Sequence, residues 1–483
     1  MPMSTLIKSF EDIMRKDAGL NGDAQYIEQI SWLIFLKVFD SKEKEWELSE
    51  NNRPVIPRGY RWRDWAEAPD GITGDELIGF VTKLFDQLKR LDSSDGDSRK
   101  TVVRSLFDGG NNFMKSGIYL RQLINRLNEK FDFIHSQARH SFNDLYEGML
   151  KDLQSAGNAG EFYTPRPITN FIVEKINPRL GETVLDPACG TGGFLTSTIA
   201  HFGRIGTLEE RKILQKTIFG WEKKPLPYLL ALTNLILHGI DTPQVQHKNS
   251  LSRPIFDYTE KDRVDVIVTN PPFGGAEDVS IQGNFPQEYK TKETADLFLV
   301  LIMRILKKGG RAGIVLPDGF MFGDGVKRRI KKSLLEKYGL HTIIRLPQVF
   351  KPYANINTNL LFFEKGVVSE GVWFYRFDYP EGVKSFSKTK PLLDSHLAPV
   401  REWWDHKAPI DQDGQEKARF YSIAELEAME YDFDKCCPFP QHEEEILEPA
   451  ELIERYKAER LARIEKINSI LAEIELKMAE GSN

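Results

Sequence analysis

Apolar positions in the first 150 residues recur at helical spacing. Tyr26 to Phe39 (YIEQISWLIFLKVF) is long and strongly apolar, with Ile27, Ile30, Leu33 and Ile34 on adjoining faces, the pattern of a buried helix. Pro54, Pro57 and Pro69 interrupt it within a stretch that also carries Trp62 and Trp65, so a structured loop with packed aromatics is predicted there. Amphipathic patterns resume at Gly74 to Leu91 and Gly117 to Phe133. This part reads as a helical lobe with no chemistry visible in it.

The pattern changes near Leu153. The segment QSAGNAGEFYTPRPI is rich in small residues and proline, and a helix begins around Thr169 to Ile176. From there to Phe363, helical runs alternate with short β-branched ones at Thr183 to Leu185, Thr217 to Phe219, Val264 to Thr269, Gly313 to Leu316, Thr342 to Leu346 and Thr358 to Phe363. Short strands apolar on both faces belong to a sheet covered by helices on both sides. The expectation is an open, mostly parallel, doubly wound α/β sheet, whose ligands sit beyond the carboxyl ends of the strands. Past His396 come the pair Trp403 and Trp404, a helical patch around Ile423 to Met429, and a charged helix from about Glu443. On that last helix Ile464, Ile467, Leu471, Ile474 and Met478 alternate at spacings of three and four, a seam expected to serve another subunit. Three regions follow: a helical N-terminal domain over 1–155, a catalytic domain over 156–400, and a helical C-terminal region over 401–483 with a partner-binding helix.

Composition narrows the class. Among 483 residues, 41% are hydrophobic and 28% charged, which excludes global disorder and fibrous folds. The net charge of -6 argues against coating nucleic acid by bulk positive charge, while leaving room for a local basic surface or a partner that reads sequence. Cys189, Cys436 and Cys437 are too few for a disulfide framework and suit a reducing compartment; no metal site is expected. With no apolar run near 18 residues and no signal-peptide order at Met1 to Phe10, a soluble cytoplasmic protein is expected.

Two constellations carry chemistry. In VLDPACGTGGF, over 184–194, an apolar strand ends in Asp186 and then in Gly190, Thr191, Gly192 and Gly193 before a helix. Glycines let backbone approach a ligand closely. No Lys-Ser or Lys-Thr follows them, so this is not the phosphate cradle of an NTPase. A dinucleotide turn would continue to a further glycine, and an acid before the turn opposes a pyrophosphate at the helix N-terminus. That acid suits a cationic group such as the ammonium of a methionine moiety. The next strand, TIFGWE, ends in Glu222, which can accept both hydroxyls of a ribose. Together these residues describe a site for S-adenosylmethionine better than one for NAD. Cys189 inside the turn reads as a small packed residue.

The second constellation is VDVIVTNPPFGG. A buried-type strand delivers Asn270, Pro271, Pro272 and Phe273. The prolines fix φ, so the loop holds its carbonyls in set directions. A rigid carbonyl beside an Asn side-chain oxygen is a paired acceptor for an NH₂ group, and Phe273 offers a face for a flat ring. Holding both N–H bonds of a conjugated amine biases its nitrogen toward tetrahedral geometry and frees the lone pair for attack on a methyl sulfonium. Chemistry of this kind fits adenine N6 or cytosine N4 in DNA, or a glutamine amide in protein.

Four segments, AGEFYTPRPI, DPACGTGGFL, TNPPFGG and ADLFL, give the chain a resemblance to the modification subunits of type I restriction-modification systems, DNA adenine-N6 methyltransferases of the gamma motif order. The resemblance covers nearly the whole chain. It implies that Phe162, Tyr163, Thr164 and Pro165 contribute to the cofactor pocket. It makes Asp186, Pro187, Ala188, Cys189, Gly190, Thr191, Gly192 and Gly193 the cofactor turn, Glu222 the ribose acid, and Asn270 to Phe273 the amine-holding motif. The family often has an acid where this chain has Asn249 before Ser250 and Leu251; Asn249 can still accept from the cofactor's adenine, without a charge. The resemblance further implies double-stranded DNA as substrate and an assembly of two modification subunits with one specificity subunit, which a restriction subunit can join. In such an assembly this chain needs only a local basic surface, and Lys327, Arg328, Arg329, Lys331 and Lys332 are the candidates.

Overall fold

Six predicted strands occupy adjacent places in one ten-stranded sheet. The computed structural model describes residues 3–48, 54–130, 164–351, 354–387 and 389–440, with scattered residues between 453 and 472. Its strands are β1 (Val184–Asp186), β2 (Ile218–Glu222), β3 (Gln244–His247), β4 (Val264–Thr269), β5 (Leu306–Pro317), β6 (Leu340–Leu346), β7 (Thr358–Glu364), β8 (Gly371–Arg376), β9 (Ile410–Gln412) and β10 (Gln415–Ser422). Their order is β3-β2-β1-β4-β5-β7-β6-β8-β10-β9. From β3 through β5 every pairing is parallel, and β7 runs antiparallel between β5 and β6. The central strands are buried on both faces, as their unbroken apolar runs require.

Four strands escaped the pattern. In β3 only Val245 is buried, because an edge strand needs few apolar side chains. β8 pairs parallel with β6, and β10 bridges β8 and β9 in antiparallel register. The sheet therefore continues past residue 400 to Ser422. The first compact unit ends at Pro438, and Phe439–Asn483 forms a second. Within that second unit Ile464 and Ile467 are helical and exposed, whereas Leu471, Ile474 and Met478 lie outside the described residues.

The N-terminal lobe is helical as its periodicity implies. The helix Asp23–Glu47 buries Trp32, Leu33, Ile34, Phe35 and Leu36 almost completely. Trp62 and Trp65, on a one-turn helix in the proline-bearing loop, pack edge to face with ring centroids 5.5 Å apart. Ser105 Oγ meets Tyr228 OH at 2.9 Å and Trp46 Nε1 donates to Asp241 at 3.2 Å, so polar contacts join the lobe to the sheet's flanking helix and loop.

The helix Arg166–Ile176 lies on β5 and presses hardest at Gly313. A Cβ there would stand 2.6 Å from Ile172 Cγ2 and 2.8 Å from Ile176 Cγ1. Gly313→Ala is expected to destabilise the protein by about 1–3 kcal/mol through overpacking. A thermal unfolding midpoint equal to the wild type would show that the helix yields without cost.

Candidate active site at the strand tips

At the end of β1, Asp186 is 1% exposed. Its Oδ1 accepts from Thr269 Oγ1 at 2.6 Å and from the Ala188 backbone N–H at 3.0 Å. Thr269 closes β4, the parallel neighbour of β1, so this bond ties the two constellations together. Burial pushes the Asp186 pKa up to about 7; the nearby Glu222 charge adds to the rise, and the two hydrogen bonds oppose it. Glu222, at the end of β2, is also buried and its pKa is raised by the same desolvation. Its Oε2 accepts from the Gly190 N–H at 3.0 Å and its Oε1 from the Lys224 N–H at 2.7 Å. Acid and turn are thus locked to each other.

Gly190 (φ 52°) and Gly192 (φ 82°) take the left-handed conformation that the turn needs and that side chains disfavour. Gly192 caps the helix Gly193–His201, and Asn234 Nδ2 donates to the Thr191 carbonyl at 2.9 Å. Cys189 is buried and its thiol pKa is driven well above the ordinary value by desolvation, as suits a packed residue.

At the end of β4, Asn270 Nδ2 donates to Thr164 Oγ1 at 2.9 Å. Asn270 Oδ1 is buried and has no hydrogen-bond partner among the described residues. A buried acceptor without a donor costs about 1–3 kcal/mol, which an incoming N–H would recover. Phe273 is half-buried and meets Phe350 edge to face, centroids 5.1 Å apart at 86°.

One cavity of about 710 Å³ joins these groups. Thr164, Asp186, Ala188, Gly190, Thr191, Gly193, Glu222, Asn249, Asn270, Pro271, Pro272 and Phe273 line it. Gly192 faces Ala231 and shapes the turn from behind. Pro165 caps the helix Arg166–Ile176, and Phe162 and Tyr163 lie outside the described residues. Asn249 is half-buried, with Oδ1 already accepting from the Leu251 N–H at 3.1 Å. A space of this size, with a glycine turn, two buried acids and an orphaned amide oxygen, fits an adenosyl cofactor beside a flat amine.

Sequence reasoning missed three contributors. Thr269 bonds Asp186, and Phe350 lines the cavity in edge-to-face contact with Phe273. Arg166 Nη1 reaches the Gly193 carbonyl at 2.6 Å and Thr196 Oγ1 at 2.7 Å, bracing the turn's helix. Only Arg166 left a signal, as the single cation in the block YTPRPI. The basic run is corrected. Lys327 pairs with Asp296, Arg328 with Asp324 and Glu430, and Lys332 with Glu336, while Arg329 donates to the Glu288 carbonyl. Lys331 is fully buried. Lys331 is thereby withdrawn from any basic surface, whereas Arg328, Arg329 and Lys332 remain at the surface.

The β3-β2-β1-β4-β5-β7-β6 order, with an acid-and-glycine turn on β1 and Asn-Pro-Pro-Phe on β4, defines an S-adenosylmethionine-dependent methyltransferase that acts on an amino group. The chain belongs to the N-6 DNA methylase family, whose model matches residues 137–447; the HsdM N-terminal domain model matches residues 3–127. It is 49% identical to the type I restriction enzyme EcoEI methylase subunit of Escherichia coli over 98% of both chains. Its fold matches a modification subunit of a putative type I restriction enzyme from Vibrio vulnificus YJ016, with TM-score 0.79, 43% identity and coverage of 88% and 92%. It likewise matches a chain from a structure concerned with assembly and conformational transition of the type I R-M system, with TM-score 0.79, 37% identity and 98% of each chain covered. The protein is a modification subunit of a type I restriction-modification system, an adenine-N6 DNA methyltransferase that uses S-adenosylmethionine and works with DNA and other subunits of that system. Of the acceptors the motif left open, adenine is the one that applies. Among the described residues no helix is long and apolar enough to cross a membrane.

The raised pKa of Asp186 has a measurable consequence. Holding a proton in the folded state gives stability that is fully present below the ordinary carboxylate value of 3.8 and is lost as pH rises through about 7. Without cofactor, the thermal midpoint of the wild type relative to Asp186→Asn is therefore expected to fall between about pH 4 and pH 7. A difference that does not change with pH would contradict the buried-acid assignment.

Proposed function

We propose that S-adenosylmethionine lies over Asp186 to Gly193, with its ribose hydroxyls on Glu222 and its methionine end near Thr164. Phe162, Tyr163 and Pro165 complete this pocket, and Asn249 accepts from the cofactor's adenine. Glu222 accepts backbone N–H groups from Gly190, Lys223 and Lys224, and its carboxylate retains acceptor capacity for a hydroxyl. Bound cofactor supplies an electrophilic methyl group. The chain's own residues bring the nucleophile to it: Asn270 Oδ1 and the Pro271 carbonyl accept the two N6 hydrogens of the target adenine, and Phe273 stacks on its ring. The base must leave the duplex to reach them, because pairing engages the same amine. No general base is required beforehand, since the proton acidifies as the N–C bond forms. The observation that carries this reading is the buried, unpartnered Oδ1 of Asn270.

Two variants separate binding from transfer. Glu222→Ala is expected to weaken cofactor binding by about 2–4 kcal/mol in calorimetric titration, from lost charge-assisted bonds and stranded N–H groups. Asn270→Ala is expected to bind cofactor normally and to slow single-turnover methylation of cognate duplex by about 10²–10³-fold. Unchanged affinity would remove Glu222 from the site, and an unchanged rate would remove the amine cradle.

The assembly in this reading has two modification subunits on one specificity subunit, with a restriction subunit able to join. In sequence a helical region over 1–155 precedes the catalytic domain that begins at 156, whose sheet runs beyond the expected limit of 400 to Ser422, and the terminal helix holds the specificity subunit. Its exposed Ile464 and Ile467 support that role. Truncation after Pro449 is expected to leave cofactor binding intact and to weaken co-purification with the specificity subunit. Normal assembly of the truncated chain would assign the seam to internal packing.

A further inference from the structure

The loop after β5 combines a buried, heavily fastened base with an exposed aromatic tip. Phe320 and Met321 are buried, yet the next residue, Phe322, is 51% exposed. Glycines at positive φ follow it, Gly323 at 106° and Gly325 at 66°. Two buried cations hold the base. Arg345 Nη2 reaches Asp434 Oδ1 at 2.6 Å and Asp318 Oδ1 at 3.1 Å, and Asn359 Nδ2 donates to the same Asp318 oxygen at 3.0 Å. Lys331 Nζ donates to the Met321 carbonyl at 2.6 Å and the Tyr431 carbonyl at 2.9 Å. Burying a lysine and an arginine is costly unless each is fully bonded, so a network of this kind fixes backbone position.

The fixed tip leaves the sheet on the same edge as the active cavity, because β5 pairs parallel with β4 and Thr269 stands opposite Ile314. Thr294 and Phe298 line the cavity from the helix Thr294–Ile305. Asp296 on that helix receives Lys327 Nζ at 2.7 Å, and the loop lies on the same lysine's stem, where a Cβ on Gly323 would be 2.8 Å from Lys327 Cδ. Asp324, at the tip, is bound by Arg328 at 2.8 Å. Lys327 and Arg328 next to the loop already have carboxylate partners in Asp296, Asp324 and Glu430. What the tip exposes on this edge of the sheet is an apolar ring.

We propose that Phe322 is the wedge that enters the base stack as the target adenine leaves it, filling the vacated space and holding the duplex open. Apolar side chains that unstack base steps act in this way, and the cost of extrusion falls when the gap is filled. The proposal rests on capture of an extrahelical adenine by Asn270 and Phe273. Phe322 touches neither cofactor nor the reacting nitrogen in this scheme; it is a positioning residue.

The test uses the complex of modification and specificity subunits on cognate duplexes carrying either 2-aminopurine at the target position or a normal adenine, paired or mismatched. The wild type should raise 2-aminopurine fluorescence on binding. Phe322→Ala should unfold at the wild-type midpoint and bind cofactor normally, give a smaller fluorescence rise, and methylate a paired target about tenfold or more slowly, from the lost stacking. On the mismatched target, where extrusion is cheap, its deficit should shrink to about twofold or less. Phe322→Trp should retain paired-target activity. Wild-type rates for Phe322→Ala on paired DNA, or the same deficit on both duplexes, would overturn the wedge. Absence of a fluorescence rise in the wild type would instead overturn base extrusion itself.

Discussion

The hydrogen bond from Thr269 to Asp186 joins the last residues of two parallel strands that are neighbours in the sheet. Almost everything chemical in this molecule depends on that adjacency. β1 ends in an acid and a glycine turn, and β4 ends in an amide and two prolines. In a parallel sheet both tips open on the same side, so the sites proposed for methyl donor and amine acceptor adjoin without any long-range loop having to bring them together. Thr164 extends the connection by accepting from Asn270, which fixes the amide and leaves its oxygen without a partner among the described residues. Three segments distant in sequence become one site through two hydrogen bonds.

The site is electrostatically incomplete by itself. Asp186 and Glu222 are buried near each other, and desolvation raises both pKa values. Such an arrangement costs stability unless something compensates it, and the compensation is complementary to a ligand with a cationic amine and a pair of hydroxyls. Asn270 Oδ1, buried and without a donor among the described residues, carries a cost of the same kind. In the proposed reading the partners of these groups arrive with cofactor and base, which makes them favour the occupied state.

How much of this was legible in the sequence followed from how local each signal was. β4 was predicted at its observed limits, Val264–Thr269, because a strand buried on both faces must be a continuous apolar run. Asp186, Glu222 and Asn270 were legible because each stands where such a run stops. The edge strand β3 was not, since solvent on its outer side removes the apolar signature. β10, with the sequence QEKARFYS, has three charged residues and gains its place from pairing with β8, a long-range fact that no local window contains. Phe350 and Thr269 were missed for the same reason, as their roles are set by contacts with residues distant in sequence, Phe273 and Asp186. The basic run misled because charge count does not reveal partners: Lys331 reads as surface and is among the most deeply buried side chains of the protein.

Those partners also explain how a chain of net charge -6 can serve on DNA. Near the carboxyl edge of the sheet its cations are used to fix loops. Lys327 braces the helix that lines the cavity, Arg345 and Lys331 hold the loop after β5, and Arg166 braces the cofactor turn. A cation bonded to buried carbonyls and carboxylates cannot release a counterion from a phosphate, so it adds little to affinity for the duplex. What it adds is rigidity around the pocket where, in the proposed reading, the amine is aligned for attack on a methyl group about 3–3.5 Å away. In the proposed reading, affinity and sequence reading then fall to surfaces that can spread contacts along the duplex, in an assembly with other subunits. A pocket for one extruded base needs precision, and buried cations such as Lys331 and Arg345 serve it by fixing the loops at this edge.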